Sequence, residues 1–331
     1  MRSFILLLTL SPALLFGGCS ADAPPPVHQT RYMMGTLVEF TIFGAPRNAA
    51  ERAIAAAARE MGRVEARFTT AHDSPVRRFN RDEAPLPDEV GRLLAISIEI
   101  QRQSGGAFHP GLGGLNALWG FSSDRPRNRP LPTARQIAAQ RPPRRCFDRQ
   151  GDRWRRRDPR CRLDFGGIAK GYAIDRGIAV LKAHHIANAI INAGGDMRIL
   201  GRHGARKWRI GIRHPRRPGA VVAALELEGD RSVVTSGDYE RFVIVHGRRY
   251  HHILDPTSGR PARRAMSATV IADDATRADG WSTALFVLGP AGLPLIERLG
   301  MEGMVVDGHG QIHQTPGLRR YLARRWRENA E

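Results

Sequence analysis

Lysine is nearly absent from this chain: Lys170, Lys182 and Lys207 are the only three among 51 basic residues. The formal charge of +19 is therefore carried by arginine, scattered through the loops. That charge reads either as an electrostatic footprint for an anionic partner or as arginine bias in the coding genome. Aromatic side chains make up only 7% and do not interleave with the arginines, which argues against a stacking platform for nucleic acid. Cysteine is scarce, with Cys19, Cys146 and Cys161 alone, and no Cys/His set has the spacing of a zinc site. The apolar run Phe4–Phe16 is too short to span a bilayer. No period of 20 to 50 residues recurs, which excludes solenoids and propellers.

What is present begins with that N-terminal run. Met1 and Arg2 precede it and Gly17-Gly18-Cys19 follow, so residues 1–18 read as a signal peptide. The Gly-Gly-Cys ending resembles a bacterial lipobox with Phe16 where an aliphatic residue is more usual, and it marks Cys19 for a lipid. Residues 19–29, with Pro24, Pro25 and Pro26, read as a tether. Residues 30–331 are then the working domain of an exported, periplasmic, lipid-anchored protein. Export favours pairing of the remaining thiols. Cys146 and Cys161 bracket a hairpin centred on Arg149-Gln150-Gly151-Asp152-Arg153, and either bridge its neck or stay free.

Periodicity predicts strands at Leu37–Phe43, Ala189–Ile191, Met197–Leu200, Trp208–Arg213, Val221–Glu228, Ser232–Thr235, Phe242–Val245, Ala268–Ala272 and Gly303–Val306. Helices are expected at Ala49–Phe68, Pro87–Gln103, after Asp164 to Ala183, at Thr276–Leu288 and at Ala291–Leu299. Asp73, Ser74 and Asn80 fall in a stretch read as irregular, and Pro126–Pro143 as a loop with a short helix inside it. Many short strands with a few helices give an α+β class with a largely antiparallel sheet.

Residues 164–176, Asp-Phe-Gly-Gly-Ile-Ala-Lys-Gly-Tyr-Ala-Ile-Asp-Arg, are the most informative stretch. A carboxylate, two glycines and Lys170 meet where a loop enters a helix, an arrangement that suits a phosphate. Asn192-Ala193-Gly194-Gly195-Asp196 is a tight turn, either a hairpin device or part of a site. Thr235 to Arg241 offers hydroxyls, Gly237 and an arginine beside a strand end. In His251-His252-Ile253-Leu254-Asp255-Pro256 an imidazole and a carboxylate stand near one another, and adjacent histidines on a strand point to opposite faces. Asp279 with Ser282 or Thr283 projects oxygens from one helical turn, either as a hard-cation site or as a helix cap.

Taken in order, Met34-Gly35-Thr36, Asp164–Lys170, Asn192–Asp196, Thr235–Arg241, His252–Gly259 and Asp279–Thr283 resemble the ApbE family, the FAD:protein FMN transferases. The resemblance implies mixed, largely antiparallel sheets with packed helices and a flavin site between two subdomains. It implies Mg²⁺-dependent transfer of FMN from FAD to a threonine or serine of a target flavoprotein, with AMP released. The Gly167 carbonyl, Asp279 and Thr283 match metal positions, with Ser282 contributing in some members. Met34, Ala107, Phe108, His109, Asp164, Lys170 and Leu254 match FAD contacts, and Ser236, Gly237 and Arg241 fit its phosphates or adenine side. His252 matches the base, with Asp255 as its orienter or a second polar contact. Two positions depart from the pattern: Thr70 where many members carry a stacking aromatic, and His109 where an acid or amide is common. The implied acceptor is a subunit of a membrane redox complex, such as a sodium-pumping quinone reductase. An FAD pyrophosphatase and a non-catalytic FAD-binding lipoprotein are the alternatives.

Overall fold

The computed structural model of the chain describes residues 25–121 and 130–324. The expected signal peptide, Cys19, most of the tether and the start of the proline-arginine loop lie outside them. The frame is an eight-stranded sheet in the order Val27–Met33, Thr36–Phe43, Asn188–Ala193, Asp196–Leu200, Arg231–Gly237, Ala265–Ala272, Glu302–Asp307 and Ile312–Gln314. Every neighbouring pair is antiparallel.

Alternation along the strands sorts the two faces. Val38, Phe40 and Ile42 are buried in the larger core, where helices Arg47–Phe68, Ala169–Ala183 and Ala275–Leu288 pack together. Val233, Ile271 and Met304 point the other way into a second core, built with the hairpin of Trp208–Arg213 and Val221–Leu227. The sheet is thus the middle layer between helices and a hairpin.

Two helices owe their close approach to one glycine. A Cβ on Gly171 would lie 2.6 Å from the Ala275 carbonyl carbon and 2.8 Å from Asp279 Cβ, so only hydrogen there lets helix 169–183 touch helix 275–288. Asp175 secures the contact from the first helix. Its carboxylate accepts the Ala275 and Thr276 amides, each at 2.8 Å, serving the free N–H groups at the start of the second helix.

The sequence-based elements stand within a few residues of their expected bounds, and the structure adds others that were not expected, among them strands Arg248–His251 and Ile312–Gln314. Residues 27–29 belong to the first strand rather than to a tether. The stretch expected to be irregular contains a helix, Pro75–Asp82, capped by Ser74, whose hydroxyl accepts the Arg77 amide at 3.0 Å. A further helix, Gly113–Trp119, forms within the glycine-rich segment. Cys146 and Cys161 are disulfide-bonded, closing the hairpin Phe147–Gln150/Arg153–Arg156.

Candidate active site

At one end of the sheet two tight turns stand side by side. Met34 and Gly35 both adopt positive φ, 55° and 70°, between paired Met33 and Thr36. Gly194 and Gly195 do the same between Ala193 and Asp196. These are the two-residue turns that match strand twist. Met34 is fixed by its amide, which donates to Glu65 at 2.9 Å.

The Asp164 loop is held from three sides. Asn80 donates to the Leu163 carbonyl at 2.7 Å and accepts its amide at 2.6 Å. The Asp164 amide donates to the Pro110 carbonyl at 2.9 Å. Its carboxylate accepts the Gly166 amide at 2.7 Å and the Asn116 side chain at 3.0 Å.

This loop delivers the Gly167 carbonyl to Thr283, whose hydroxyl lies 3.4 Å from it. Ser236 reaches in from the sheet, 2.8 Å from the Ser282 hydroxyl and 3.3 Å from that of Thr283. Ser282 also donates to the Asp279 carbonyl at 2.9 Å. Asp279 is buried and accepts the Gly171 amide at 2.9 Å. Desolvation, with the Asp196 carboxylate adding to it, raises its carboxyl to about 7. A carbonyl, two hydroxyls and a buried carboxylate that resists charge by itself are oxygen donors of the kind that could hold a hard divalent cation. Among the described residues no three His, Cys, Asp or Glu converge on a metal, so the fit rests on neutral oxygens around one acid.

Lys170 is the cation of the site. Its ammonium pairs with the buried Asp196 at 2.8 Å. Desolvation opposes its charge, but Asp196 and Asp279 outweigh that and hold its pKa above the ordinary lysine value. The Gly171 amide in the same turn already serves Asp279, so attraction of a phosphate falls to the Lys170 side chain rather than to that backbone donor.

His252 and His251 divide as adjacent strand-end residues should. His251 is buried, its Nδ1 accepting the Ile253 amide at 3.3 Å and its Nε2 donating to the Ala262 carbonyl at 2.8 Å. Burial lowers it to about 4. His252 is only half-buried, and its Nδ1 lies 3.3 Å from the Arg241 carbonyl. That carbonyl can only accept, so Nδ1 carries the proton and Nε2 presents a lone pair. Desolvation, then the charge of Arg241, push the ring well below the ordinary histidine range, and the Lys170 ammonium contributes.

Three expected residues are engaged otherwise. Asp255 accepts the Thr257 amide at 2.8 Å, closing its own turn, and the orienter of the His252 ring is the Arg241 carbonyl. His109 is buried with both nitrogens engaged, Nδ1 accepting the Gly111 amide at 2.9 Å and Nε2 donating to the Pro143 carbonyl at 3.1 Å. Its ring braces the loop next to Asp164, and desolvation lowers its pKa. The Leu254 side chain is buried with Leu115, Trp119, Phe121 and Ile137, which leaves its backbone as the part able to meet a ligand. Phe108 is also buried and packs against Gly167, 3.3 Å from where a Cβ there would stand, while Ala107 leans on the larger core. Gly237 gives way to the Tyr239 ring, 2.5 Å from its would-be Cβ.

Asp196, Asn116 and Asp175 act in this constellation without having been named as site residues from the sequence. Asp196 and Asp175 stand inside recognised motifs, and Asn116 is separated from Asp164 by 48 residues.

Comparison with known proteins gives the family. Residues 34–305 match the sequence model of the ApbE family, and the chain belongs to that family. A Rhodobacter capsulatus FAD:protein FMN transferase is 32% identical over 95% of this chain, which spans 62% of that relative's length. One from Klebsiella pneumoniae is 29% identical over 97% of this chain and 98% of its own. Among solved structures, the ApbE protein of Thermotoga maritima superposes with a TM-score of 0.82 at 30% identity, covering 90% of this chain and all of that one. The flavin transferase ApbE of Vibrio cholerae gives 0.79 at 27% identity, covering 90% of this chain and 99% of that one.

Proposed function

We propose that this chain, as an FAD:protein FMN transferase, moves FMN from FAD onto a threonine or serine hydroxyl of a target flavoprotein and releases AMP. The observation that carries the reading is the meeting of the Gly167 carbonyl, the Thr283 hydroxyl and the buried Asp279 beside the Lys170–Asp196 pair. Mg²⁺ is the cation those oxygens suit, and bound there it would neutralise pyrophosphate charge. Ser282 supports the set through its own hydroxyl.

The acceptor oxygen attacks the phosphorus that bears the flavin. A new O–P bond forms as the bridging P–O bond to AMP breaks, and the hydroxyl proton passes to His252 Nε2. The electron pair of the broken bond leaves on AMP, where Lys170 and Arg241 offset its charge. Asp164 and the backbone around Phe108 and Leu254 hold the dinucleotide, with Met34 at the flavin side. The N-terminal run with its lipobox-like cysteine supports a periplasmic, lipid-anchored location, close to acceptors in a membrane redox complex. Water entering in place of the hydroxyl would make the same site an FAD pyrophosphatase.

The test is incubation of the mature chain with FAD, Mg²⁺ and the flavin-accepting subunit of a sodium-pumping quinone reductase. Flavin fluorescence is followed on the denatured acceptor, together with free FMN and AMP. Covalent flavin with one AMP per label supports transfer. Free FMN with AMP and no label would replace it by hydrolysis, and intact FAD would leave a binding protein.

A further inference from the structure

A cavity of about 340 Å³ opens at the same end of the sheet, on the face turned away from the three helices. Strand alternation sets the two sides. Glu39 lines the cavity while Val38 and Phe40 face the helices, and Thr235 lines it while Ser236 reaches the Ser282 and Thr283 hydroxyls. Only the sheet end separates the cavity from the reacting cluster. Its sill is the turn Gly194-Gly195, where a Cβ on Gly195 would meet nothing within 4 Å. The next residue, Asp196, pairs with Lys170. A chain lying in the cavity meets no side chain at Gly195 as it crosses toward Lys170.

The lining says what fits. Glu39 and Glu240 both line the cavity; Glu39 accepts the Asn192 side chain at 2.7 Å through one oxygen, and Arg213, the one guanidinium of the lining, is paired with Glu240 at 3.3 Å. Carboxylates repel a pyrophosphate and accept backbone N–H groups, so the cavity suits polypeptide rather than dinucleotide. The rim is apolar. Five large hydrophobic side chains are exposed among the described residues; one lines this cavity and two stand next to its lining residues. Leu37 lines it, Tyr32 is the cross-strand partner of Leu37, and Val221 lies over the Gly211 floor. Exposed apolar groups gathered at one opening mark a contact surface.

We propose that this cavity seats the segment of the target protein that flanks its accepting hydroxyl. That segment is extended and uncharged, with an apolar residue on the Leu37, Tyr32 and Val221 rim and the hydroxyl carried over the glycine sill. The assignment rests on the flavin-transfer reading and adds to it a determinant of acceptor choice.

Leu37→Asp and Val221→Asp test it, both at exposed positions that leave the cores intact. The probe is a bead-bound library of short peptides with one central threonine, offered with FAD and Mg²⁺; labelled peptides are then resynthesised for kinetics. Each variant is expected to raise the acceptor KM about tenfold, as loss of an interface anchor does. FAD affinity and the acceptor-free release of FMN and AMP stay at wild-type values. Wild-type acceptor KM in both variants would overturn the assignment. So would an equal loss of FAD breakdown, because the cavity would then belong to the dinucleotide. A wild type that releases FMN and AMP yet labels no bead would remove the transfer reading, and this seat with it.

Discussion

Replacing Gly171 by alanine puts a methyl group where two helices touch. In an open helix that change gains about 1 kcal/mol of propensity. Here the new Cβ would stand 2.6 Å from the Ala275 carbonyl carbon and 2.8 Å from Asp279 Cβ, roughly 1 Å inside normal contact. The obstacle is backbone, so helix 275–288 must retreat by about that distance, and overpacking of this kind costs ~1–3 kcal/mol. Asp279 rides on that helix and would lose its bond from the Gly171 amide. A displacement of ~1 Å in a reacting constellation can cost ~100-fold in rate. Gly177→Ala is the control, since its Cβ would meet the flexible ends of Ile191 and Met61 at 2.9 and 3.0 Å. Thermal unfolding and Mg²⁺-dependent release of AMP from FAD are measured on both variants. Gly171→Ala should lower Tm by several degrees and turnover by about 100-fold, with Gly177→Ala mild in both. A Gly171→Ala protein with wild-type turnover would refute the argument that this contact sets the site.

Asp279→Ala should keep the fold by circular dichroism and lower Mg²⁺ affinity roughly 100-fold or more in titrations followed by AMP release; unchanged metal dependence would remove its role. His252→Ala should bind FAD normally but lose ~10²–10⁴ in transfer rate, whereas Asp255→Asn should retain most activity, because the Arg241 carbonyl orients the ring. Reducing Cys146–Cys161, which closes a loop with a sequence separation of 15, should cost ~3 kcal/mol, read as a lower denaturation midpoint in dithiothreitol that a Cys146→Ala/Cys161→Ala variant does not show further. Acid should destabilise through His251, held neutral with a pKa lowered from 6.5 to about 4. The unfolded chain takes the proton first, so stability is full above about 6.5 and falls toward pH 4 by roughly 3 kcal/mol, a slope that His251→Asn should flatten.

The core strands were legible because their alternation is strict: Thr36–Phe43 buries Val38, Phe40 and Ile42 and turns Leu37 and Glu39 outward. Val27–Met33 escaped notice for the opposite reason. It is an edge strand with only Val27 buried, so its sequence carries no apolar period. Pro75–Asp82 was hidden by its brevity, although Ser74-Pro75 is a start signal for a helix. Family resemblance pointed to Gly167, Asp279, Thr283 and Lys170; in the structure Thr283 lies beside the Gly167 carbonyl, and Asp279 accepts the amide of Gly171, the residue after Lys170. The partners of those residues were not legible. Asp196 reaches Lys170, and Asn116 reaches Asp164, only through the tertiary arrangement. His109 and Asp255 show the converse, since matching a motif position does not reveal that Gly111, Pro143 or Thr257 already occupies the polar atoms.

The first strand has a direction. Val27 lies at one pole of the sheet, paired with Ile42, and Met33 lies at the other, beside the Met34-Gly35 turn and the glycine turn that borders Asp196. Seven residues of strand separate the poles, about 23 Å of rise. The described residues therefore begin at the pole opposite the glycine turns, as the foot of a cup stands opposite its brim. Under the proposed transfer, a partner's hydroxyl has to come to the brim, a strand's length from that foot.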